Sequence, residues 1–512
     1  MLRHARETVA DRDREPDGPV ALAQAGRIIL PCLALMPGCD QRLLAAVRLA
    51  GSGWLMLGGR AGDEELGMIR RDTLSEYARG SLWVMPTFAV AAALAVGSLL
   101  SQVTVGVHSP LAFQGTPDDA RNLLIAIAGT MVTVIALLLG LTVVALQLSS
   151  TQFSPRLLRN FLRDRPNQIV LSAFVATFAY SAAGLYTVGV SGGSRTASFP
   201  RLAVSGALVL LFASLGLLVF FADHLVHSIQ VDAIMNAVQR NTLRVVRDGL
   251  LAGGQDATAP PPGATAILCR HSGYVQAVRC HTLLSHAARH GACLRLRPRI
   301  GEHVVAGTTL AWIWPAAPGH PALDPQFFAQ VLDTGVRIGF ERTLEQDAAF
   351  GIRQLVDTAC KALSPAVNDP YTAVQAIDHL SVIFCALAQR PLGNHVARHP
   401  SGAAVIVPGR RFPEYLAVMC GLIRRYGNHE PTVADALLRL LRACADVAGN
   451  NPELCTAITE QARIIIADAE REIPQPADLA SPRSAAQSVY QAVATHLPQH
   501  GNDQATTPSP PA

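Results

Sequence analysis

The chain has 512 residues, half of them hydrophobic and only 16% charged, whereas about a quarter of the residues are charged in an ordinary soluble protein. This composition predicts membrane segments. The formal net charge of +4 is small for the length, and no basic patch with interleaved aromatic residues occurs, so a nucleic-acid partner is not expected. The ten cysteines contain no C-x-x-C pair, which excludes a zinc knuckle and a thioredoxin-like motif.

Residues 1–67 show no periodic pattern, and we predict an unorganised leader there. Met68 begins a stretch that reads as a more natural start, so our hypothesis is that translation begins near Met68. The apolar run at residues 27–36 is too short to span a bilayer. A cleaved signal peptide is not expected, because the first segment of membrane length begins only near residue 82.

Four segments are long and apolar enough to cross a bilayer of about 30 Å, which takes about 20 helical residues. They are residues 82–101, 123–148, 169–190 and 202–221, and none contains Asp, Glu, Lys, Arg or His. Proton relays, voltage sensors and carriers of charged substrates place such residues inside the membrane, so the sequence disfavours these functions. We predict a four-helix transmembrane domain over residues 68–230.

The loops differ in arginine content. Four arginines lie within residues 60–81, just before the first span, and four fill the loop after the second, against three in the loops on the other side. By the positive-inside rule, both termini are cytoplasmic in a multi-pass protein of the bacterial inner (plasma) membrane. A short amphipathic helix in the loop after the second span would also bind lipid headgroups, although these arginines have topology alone as an alternative role. They are Arg156, Arg159, Arg163 and Arg165.

The polar residues within the spans are hydroxyls and one amide. We expect them to bond to backbone carbonyls or between helices, and a pore lined by hydroxyls in an oligomer is the alternative. They include Thr130, Thr133, Thr142, Gln147, Ser172, Thr177, Tyr180, Ser181 and Ser214.

More than half of the chain follows the last span, and we expect it in the cytoplasm. Residues 231–264 predict a helical exit and a Pro-rich linker, and residues 265–316 a small β-rich module, because short apolar runs alternate with glycines. Residues 317–475 are predicted to be mostly helical, and residues 476–512 a terminal helix and a disordered tail. The predicted fold class is an α-helical integral membrane protein with four transmembrane helices and a cytosolic mixed α+β domain.

Two histidines of the β-rich module, His286 and His290, are four residues apart and would share a helix face, as in some zinc sites. The flanking cysteines and histidine match no closed ligand set. A solvent-facing histidine pair is therefore favoured, with metal binding as the alternative, and no cofactor is expected.

Helix starts are marked by capping residues. Asp324 with Pro325 and Asp369 with Pro370 each pair an N-cap with a first-turn proline, and residues 334–343 read as a strand. Thr343 and Gln346 predict a capping box that opens a helix to about residue 363. Further helices are expected at residues 413–426, 432–447 and 452–472, the last after an Asn451 cap.

Three motifs carry a family resemblance: TQFSPRLLRNFLRDRPNQIVLSAFVATFAYS, SGYVQAV, and IGFERTLEQDAAFGIRQLVDTACKALSPAVNDPYTA. They resemble the bacterial family of predicted membrane proteins called domain of unknown function 2254, over about residues 81–472. The resemblance implies a four-span inner-membrane protein with a cytosolic domain, and it implies no established activity.

The polar residues of the last motif are the candidate site. Asn368 and Asp369 would bind a cation or tie their turn to Arg342 by a charge-assisted hydrogen bond, and a buried structural network is the alternative. No phosphate-binding loop, zinc-protease or dinucleotide motif occurs. The candidates are Glu341, Arg342, Gln346, Asp347, Asp357, Ser364, Asn368, Asp369 and Thr372.

Three function classes remain. We favour a membrane-anchored cytosolic domain that binds or senses a ligand or acts as a scaffold, because the uncharged spans resemble an anchor. An oligomeric channel or transport-related protein with a cytosolic gating domain is the alternative, and an enzyme at the inner leaflet has the least support. The bilayer is the expected partner, with a homo-oligomer as the expected assembly.

Overall fold

A computed structural model of the chain describes residues 84–102, 112–152, 165–188, 199–228, 230–254, 259–317 and 322–496. Several sequence predictions fall outside these residues. They are the leader, the start near Met68, the amphipathic helix with Arg156, Arg159 and Arg163, and the tail after His496. The described part is mostly helical, with some sheet.

Four long helices correspond to the four apolar segments of the sequence. Helix α3 packs against the other three, and its buried Phe174 lies in a core with Leu124 and Val204. The helices are α1, Val84–Gln102, α2, Pro117–Gln152, α3, Arg165–Val188, and α4, Arg201–Ser228.

Most hydroxyl groups in these helices bond as the sequence predicts, but the buried Ser181 hydroxyl has no hydrogen-bond partner among the described residues. Most donate to a carbonyl of the preceding turn, as Thr142 does at 2.7 Å and Ser172 at 2.6 Å. Thr177 and Ser214 join α3 to α4 at 2.9 Å, and the Tyr180 hydroxyl donates to a carbonyl of α4 at 2.9 Å. These hydroxyls therefore satisfy the backbone and link helices.

Two sheets follow the helical exit. The first has five strands in the order β1-β5-β3-β8-β7, and the second has three in the order β4-β2-β6. β3 pairs with β8 in parallel, and the other pairs are antiparallel. The strands are β1, Thr265–Leu268, β2, Gly273–Val278, β3, Ala292–Leu296, β4, His303–Val304, β5, Thr309–Pro315, β6, Val336–Gly339, β7, His395–Arg398, and β8, Ala404–Val407.

The remaining helices have two cores. Helices α6 and α7 cover the sheets, whereas α5 and α8 to α13 share an apolar core that includes Leu380, Leu416 and Leu441. The helices are α5, Val231–Arg244, α6, Cys280–Arg289, α7, Pro325–Gly335, α8, Ala348–Ala362, α9, Pro370–Ala388, α10, Phe412–Gly427, α11, Pro431–Ala448, α12, Pro452–Glu472, and α13, Ala480–His496.

The exit helix α5 connects the two parts of the chain. It begins three residues after α4 and ends in one π-helical turn, Val245–Gly249. Its face with Met235 and Val238 is buried against α8 and α9. The continuation of the fourth apolar helix is therefore part of the helical core rather than a loose linker.

The predicted caps are confirmed at three helices and wrong at one. Asp324, Asp369 and Asn451 each accept from an amide of the following first turn. The capping box of Thr343 and Gln346 does not form, because α8 begins only at Ala348 with Asp347 as its N-cap. Residues 340–347 instead run between strand and helix.

Five described helices are long and apolar enough to cross a membrane, one more than the sequence analysis predicts. Four are α1 to α4, and the fifth is α9. Helix α9 begins at the predicted Asp369 cap, and its residues Ile377, Leu380, Phe384 and Leu387 are buried.

Candidate functional site

Arg342 and Asp347 form an ion pair at the start of α8. Arg342 donates through Nε and Nη2 to Asp347 Oδ2, at 2.9 and 2.6 Å, and Asp347 Oδ1 accepts from the Phe350 amide at 3.2 Å. The Asp347 side chain is only 3% exposed. A cation and the first turn of a helix therefore share one buried carboxylate.

Burial has the largest effect on the pKa of Asp347. It raises the pKa of the Asp347 carboxyl above its ordinary value, and the Arg342 guanidinium opposes that shift. Tyr415 is also buried, and this burial, together with the nearby charge of Asp347, raises the pKa of its hydroxyl. Asp347 and Tyr415 are thus two buried ionisable groups at one place.

A second ion pair joins the β-rich part to α10. Arg299 Nη1 donates to Glu414 Oε1 at 2.5 Å, and Glu414 Oε2 accepts from the Arg411 amide at 2.8 Å, closing the cap of α10. Burial opposes the ionised form of Glu414, but the hydrogen bonds from Arg411 and Arg299 and the nearby positive charges lower its pKa overall.

Arg299, Asp347 and Tyr415 line a small cleft, which we call the junction cleft. Its internal volume is about 40 Å³, enough for a few water molecules or a ligand of similar size. Five separate parts of the chain form it. The lining residues are Leu250, Leu251, Arg299, Ile300, Gln346, Asp347, Leu392, Gly393, His395, Val407, Pro408, Gly409, Arg410 and Tyr415.

The segment after α5 forms one wall of the junction cleft and is tied to the segment around β7. The Gly253 amide donates to the Pro391 carbonyl at 2.9 Å, and His395 Nδ1 donates to the Ala252 carbonyl at 2.7 Å. Backbones meet here without intervening side chains, because a Cβ on Gly409 would collide with the Gly393 carbonyl. The exit from the fourth apolar helix therefore contacts the cleft directly.

Comparison with known proteins identifies the family. A family model described as a predicted membrane protein, domain of unknown function 2254, matches residues 79–443. The chain belongs to this family. The match includes every residue that lines the junction cleft.

Two relatives within the family are similar over most of their length. Uncharacterised proteins of Mycobacterium tuberculosis and Mycobacterium bovis are each 44% identical over 425 residues, which is 80% of this chain and 80% of the relative. No solved structure gives a significant match. The family model describes predicted membrane proteins, and the relatives named here carry no assigned role.

Among the candidate residues that the sequence singles out within the family motif, three lie together. Arg342 and Asp347 form the ion pair, and Gln346 lines the junction cleft while its amide bonds to the Val278 backbone of β2, at 2.9 Å to the amide and 3.3 Å to the carbonyl. Gln346 thus holds the segment before α8 against the three-stranded sheet.

The other candidates of the family motif interact outside the junction cleft. Asp357 pairs with Arg353 one turn earlier in α8, at 2.7 Å. Glu341 accepts through its main-chain oxygen from Gln276 at 2.8 Å. Neither residue lines the junction cleft.

The polar side chains of the turn between α8 and α9 bond within the turn itself. Ser364 donates to the Lys361 carbonyl at 2.6 Å, Asn368 has a φ of 50°, and Asp369 accepts from the Thr372 amide and hydroxyl at 3.1 and 2.5 Å. The predicted tie from Asn368 or Asp369 to Arg342 is wrong, because Arg342 is paired with Asp347. Local capping explains this turn without a ligand.

The histidine pair packs against aromatic side chains. The rings of His286 and His290 lie 6.1 and 4.4 Å from the Phe327 ring. Within the described ranges, no cluster of three or more His, Cys, Asp or Glu side chains is arranged to hold a metal ion.

Sequence reasoning missed the remaining residues of the junction cleft. Arg299 and Arg410 lie in segments without a family motif among those quoted, and His395 and Tyr415 lie in separate elements. Glu414 had a local signal, because it stands three residues after Arg411 at the start of an apolar helical pattern, which is capping-box spacing.

Proposed function

We propose that this family member is a four-span inner-membrane protein whose cytosolic domain binds a small ligand in the junction cleft. The spans are α1 to α4, both termini are cytoplasmic, and the part from α5 onward forms the cytosolic domain. The observation that carries the proposal is that the segment leaving the membrane helix forms a wall of the cleft.

Charged residues on the outward face of α9 favour a topology with four spans rather than five. Asp378 on this face pairs with Arg439 of α11 at 3.5 Å, and both side chains are more than half exposed. Charged groups facing lipid are costly. On its other face α9 packs against α5, α8 and α11, so its apolar residues already have partners within the protein.

A ligand in the junction cleft would touch both the exit segment and the cytosolic elements. Leu250 and Leu251 come from the exit segment, whereas Arg299, Asp347 and Arg410 come from the domain. If the ligand prefers one arrangement of this junction, binding and the position of the exit helix are thermodynamically coupled. That property suits a membrane-anchored sensor.

The hydroxyl bonding of the spans gives the channel alternative less support. A hydroxyl-lined path needs side chains that face open space along the path. Ser172, Ser181 and Ser214 are instead buried among the described helices, and Ser214 bonds to Thr177 of α3.

Thermal melting of the full-length protein in detergent tests the proposal. The probes, added singly, are inorganic phosphate, magnesium chloride, glutamate, lysine and ribose. We expect at least one to raise the melting temperature of the wild type, because a ligand that binds only the folded state stabilises it. Gly409→Ala should abolish this rise by displacing the backbone at Gly393.

Gly421→Ala is the matched control, because a Cβ at Gly421 in α10 meets no atom within 4 Å. It should respond to the probe as the wild type does. Leu392→Ala, which widens the cleft wall, replaces Gly409→Ala if that variant does not fold by circular dichroism. The proposal fails if no probe stabilises the wild type, or if the cleft variants respond unchanged.

A further inference from the structure

Arg410 differs from Arg299 and Arg342, each of which is paired with a carboxylate. It is half-buried and lines the cleft, and its positive charge acts on Asp347, Glu414 and Tyr415. Within the residues that the structure describes, its guanidinium has no hydrogen-bond or ion-pair partner. The N–H donors of this guanidinium are therefore available to an anion that enters the cleft.

The two carboxylates nearby are already satisfied. Asp347 accepts from Arg342 and from a backbone amide, and Glu414 accepts from Arg299 and from a backbone amide. The charged groups that line the cleft itself are two guanidiniums, of Arg299 and Arg410, and one carboxylate, of Asp347, which leaves an excess of one positive charge.

From these observations we infer that the junction cleft binds a phosphate group, with Arg410 as its main ligand and Arg299 beside it. The inference rests on the proposed function and names its ligand class. Guanidinium groups bind tetrahedral oxyanions through paired N–H donors. The volume of about 40 Å³ suits a phosphate group and is too small for a whole nucleotide.

Two sources supply this chemistry: free inorganic phosphate and the phosphate of an anionic lipid headgroup. Isothermal titration of the detergent-solubilised full-length protein with inorganic phosphate tests the first. Melting of the protein in nanodiscs of phosphatidylcholine alone, or with phosphatidylglycerol added, tests the second. Binding of phosphate in detergent supports the free anion, whereas stabilisation only by phosphatidylglycerol supports the headgroup.

The variant Arg410→Gln should weaken the observed binding at least tenfold, and Arg410→Lys should retain part of it. Arg463→Gln is the control, because Arg463 is an exposed arginine of α12 that pairs with Glu460 at 2.7 Å. It should bind as the wild type does. Circular dichroism confirms that each variant is folded.

The inference is overturned if neither phosphate source binds the wild type, or if Arg410→Gln binds as tightly as Arg463→Gln. If another probe, such as lysine or ribose, stabilises the protein in a manner sensitive to Gly409→Ala, the anion is wrong and the ligand-binding cleft stands. If no probe acts through the cleft, both proposals fail.

Discussion

Helices α1 and α9 have the same length and differ in what surrounds them. Each contains 19 residues, and each is apolar enough to cross a membrane. None of the described residues of α1 is buried, and Leu94 and Leu99 are 44% and 63% exposed. In α9 seven residues are buried, among them Ile377 and Leu380.

The length of an apolar helix alone therefore does not assign it to the bilayer. The apolar residues of α9 are covered by neighbouring helices, so burial within the protein explains its composition. Those of α1 are covered on one side only, by α3 and α4, so its exposed residues, such as Leu94 and Leu99, need lipid or another copy of the chain. In the proposed topology, α1 lies in the membrane and α9 does not.

The largest expected effect comes from a core leucine of α9. Leu380→Ala should cost about 2–5 kcal/mol of unfolding free energy, because Leu380 is fully buried and its truncation leaves a cavity. Leu99→Ala in α1 should change it by less than about 0.5 kcal/mol. Denaturant unfolding in detergent, followed by circular dichroism, compares the two. Equal losses of unfolding free energy would show that Leu99 is packed as tightly as Leu380.

Arginine substitutions probe the surroundings directly. Leu94 of α1 and Val382 of α9 are almost equally exposed, at 44% and 46%. Leu94→Arg should raise the apparent free energy of membrane insertion by about 2.5–3.5 kcal/mol, because an arginine near a span centre is poorly inserted.

Val382→Arg should leave the amount of protein in the membrane fraction unchanged, since we place this residue in water. Quantitative blotting of membrane fractions measures both variants. If Val382→Arg reduces insertion as much as Leu94→Arg does, α9 faces lipid and the comparison is wrong.

The cap of α9 should contribute less. Asp369→Ala should cost about 1 kcal/mol, because Asp369 holds the first turn through the Thr372 amide. The Thr372 hydroxyl, followed by that amide, lowers the pKa of Asp369 below its ordinary value of 3.8. A lowered pKa stabilises the fold above that value, and this contribution is lost as the pH falls through the folded-state pKa.

We therefore expect the wild type and Asp369→Ala to differ in unfolding free energy at pH 7, and this difference should disappear below about pH 4. Unfolding at pH 7 and at a series of acidic pH values measures it. Asp357→Ala is a comparison within α8, because it removes a partly exposed ion pair and should cost less than about 1 kcal/mol. A gap for Asp369→Ala that does not change with pH would contradict the capping account.

The smallest effect is expected at Asn368. Its φ of 50° lies in the left-handed region, which asparagine and glycine tolerate better than other residues. Asn368→Gly should change stability by less than about 0.5 kcal/mol, whereas Asn368→Ala should cost about 1 kcal/mol. Melting temperatures in detergent compare the two, and an equal response would show that the turn imposes no such constraint.

Local chemistry made much of the fold predictable. The four apolar helices need only composition, and the caps at Asp324, Asp369 and Asn451 need only a short polar side chain before a helical pattern. The start of α8 is less predictable, because Thr343 and Gln346 have the spacing of a capping box. Gln346 instead bonds to β2, which is distant in sequence, and Asp347 caps the helix.

Long-range pairing made the rest unpredictable. Strands β7 and β8 are four residues each and join a sheet whose other strands precede them by about a hundred residues. The candidate site shows the same limit. Arg342 and Asp347 are five residues apart and were found together, whereas Arg299, Arg410 and Tyr415 meet them only through the folding of separate elements.

The most direct test of the account is the side of the membrane on which the chain lies after α9. Alkaline phosphatase and green fluorescent protein are fused in turn at two points: after Gln230, beyond α4, and after Gly393, beyond α9. With four spans, both sites give fluorescence and no phosphatase activity. If α9 crosses the membrane, the fusion after Gly393 gives phosphatase activity instead, and that result would contradict the cytosolic junction cleft.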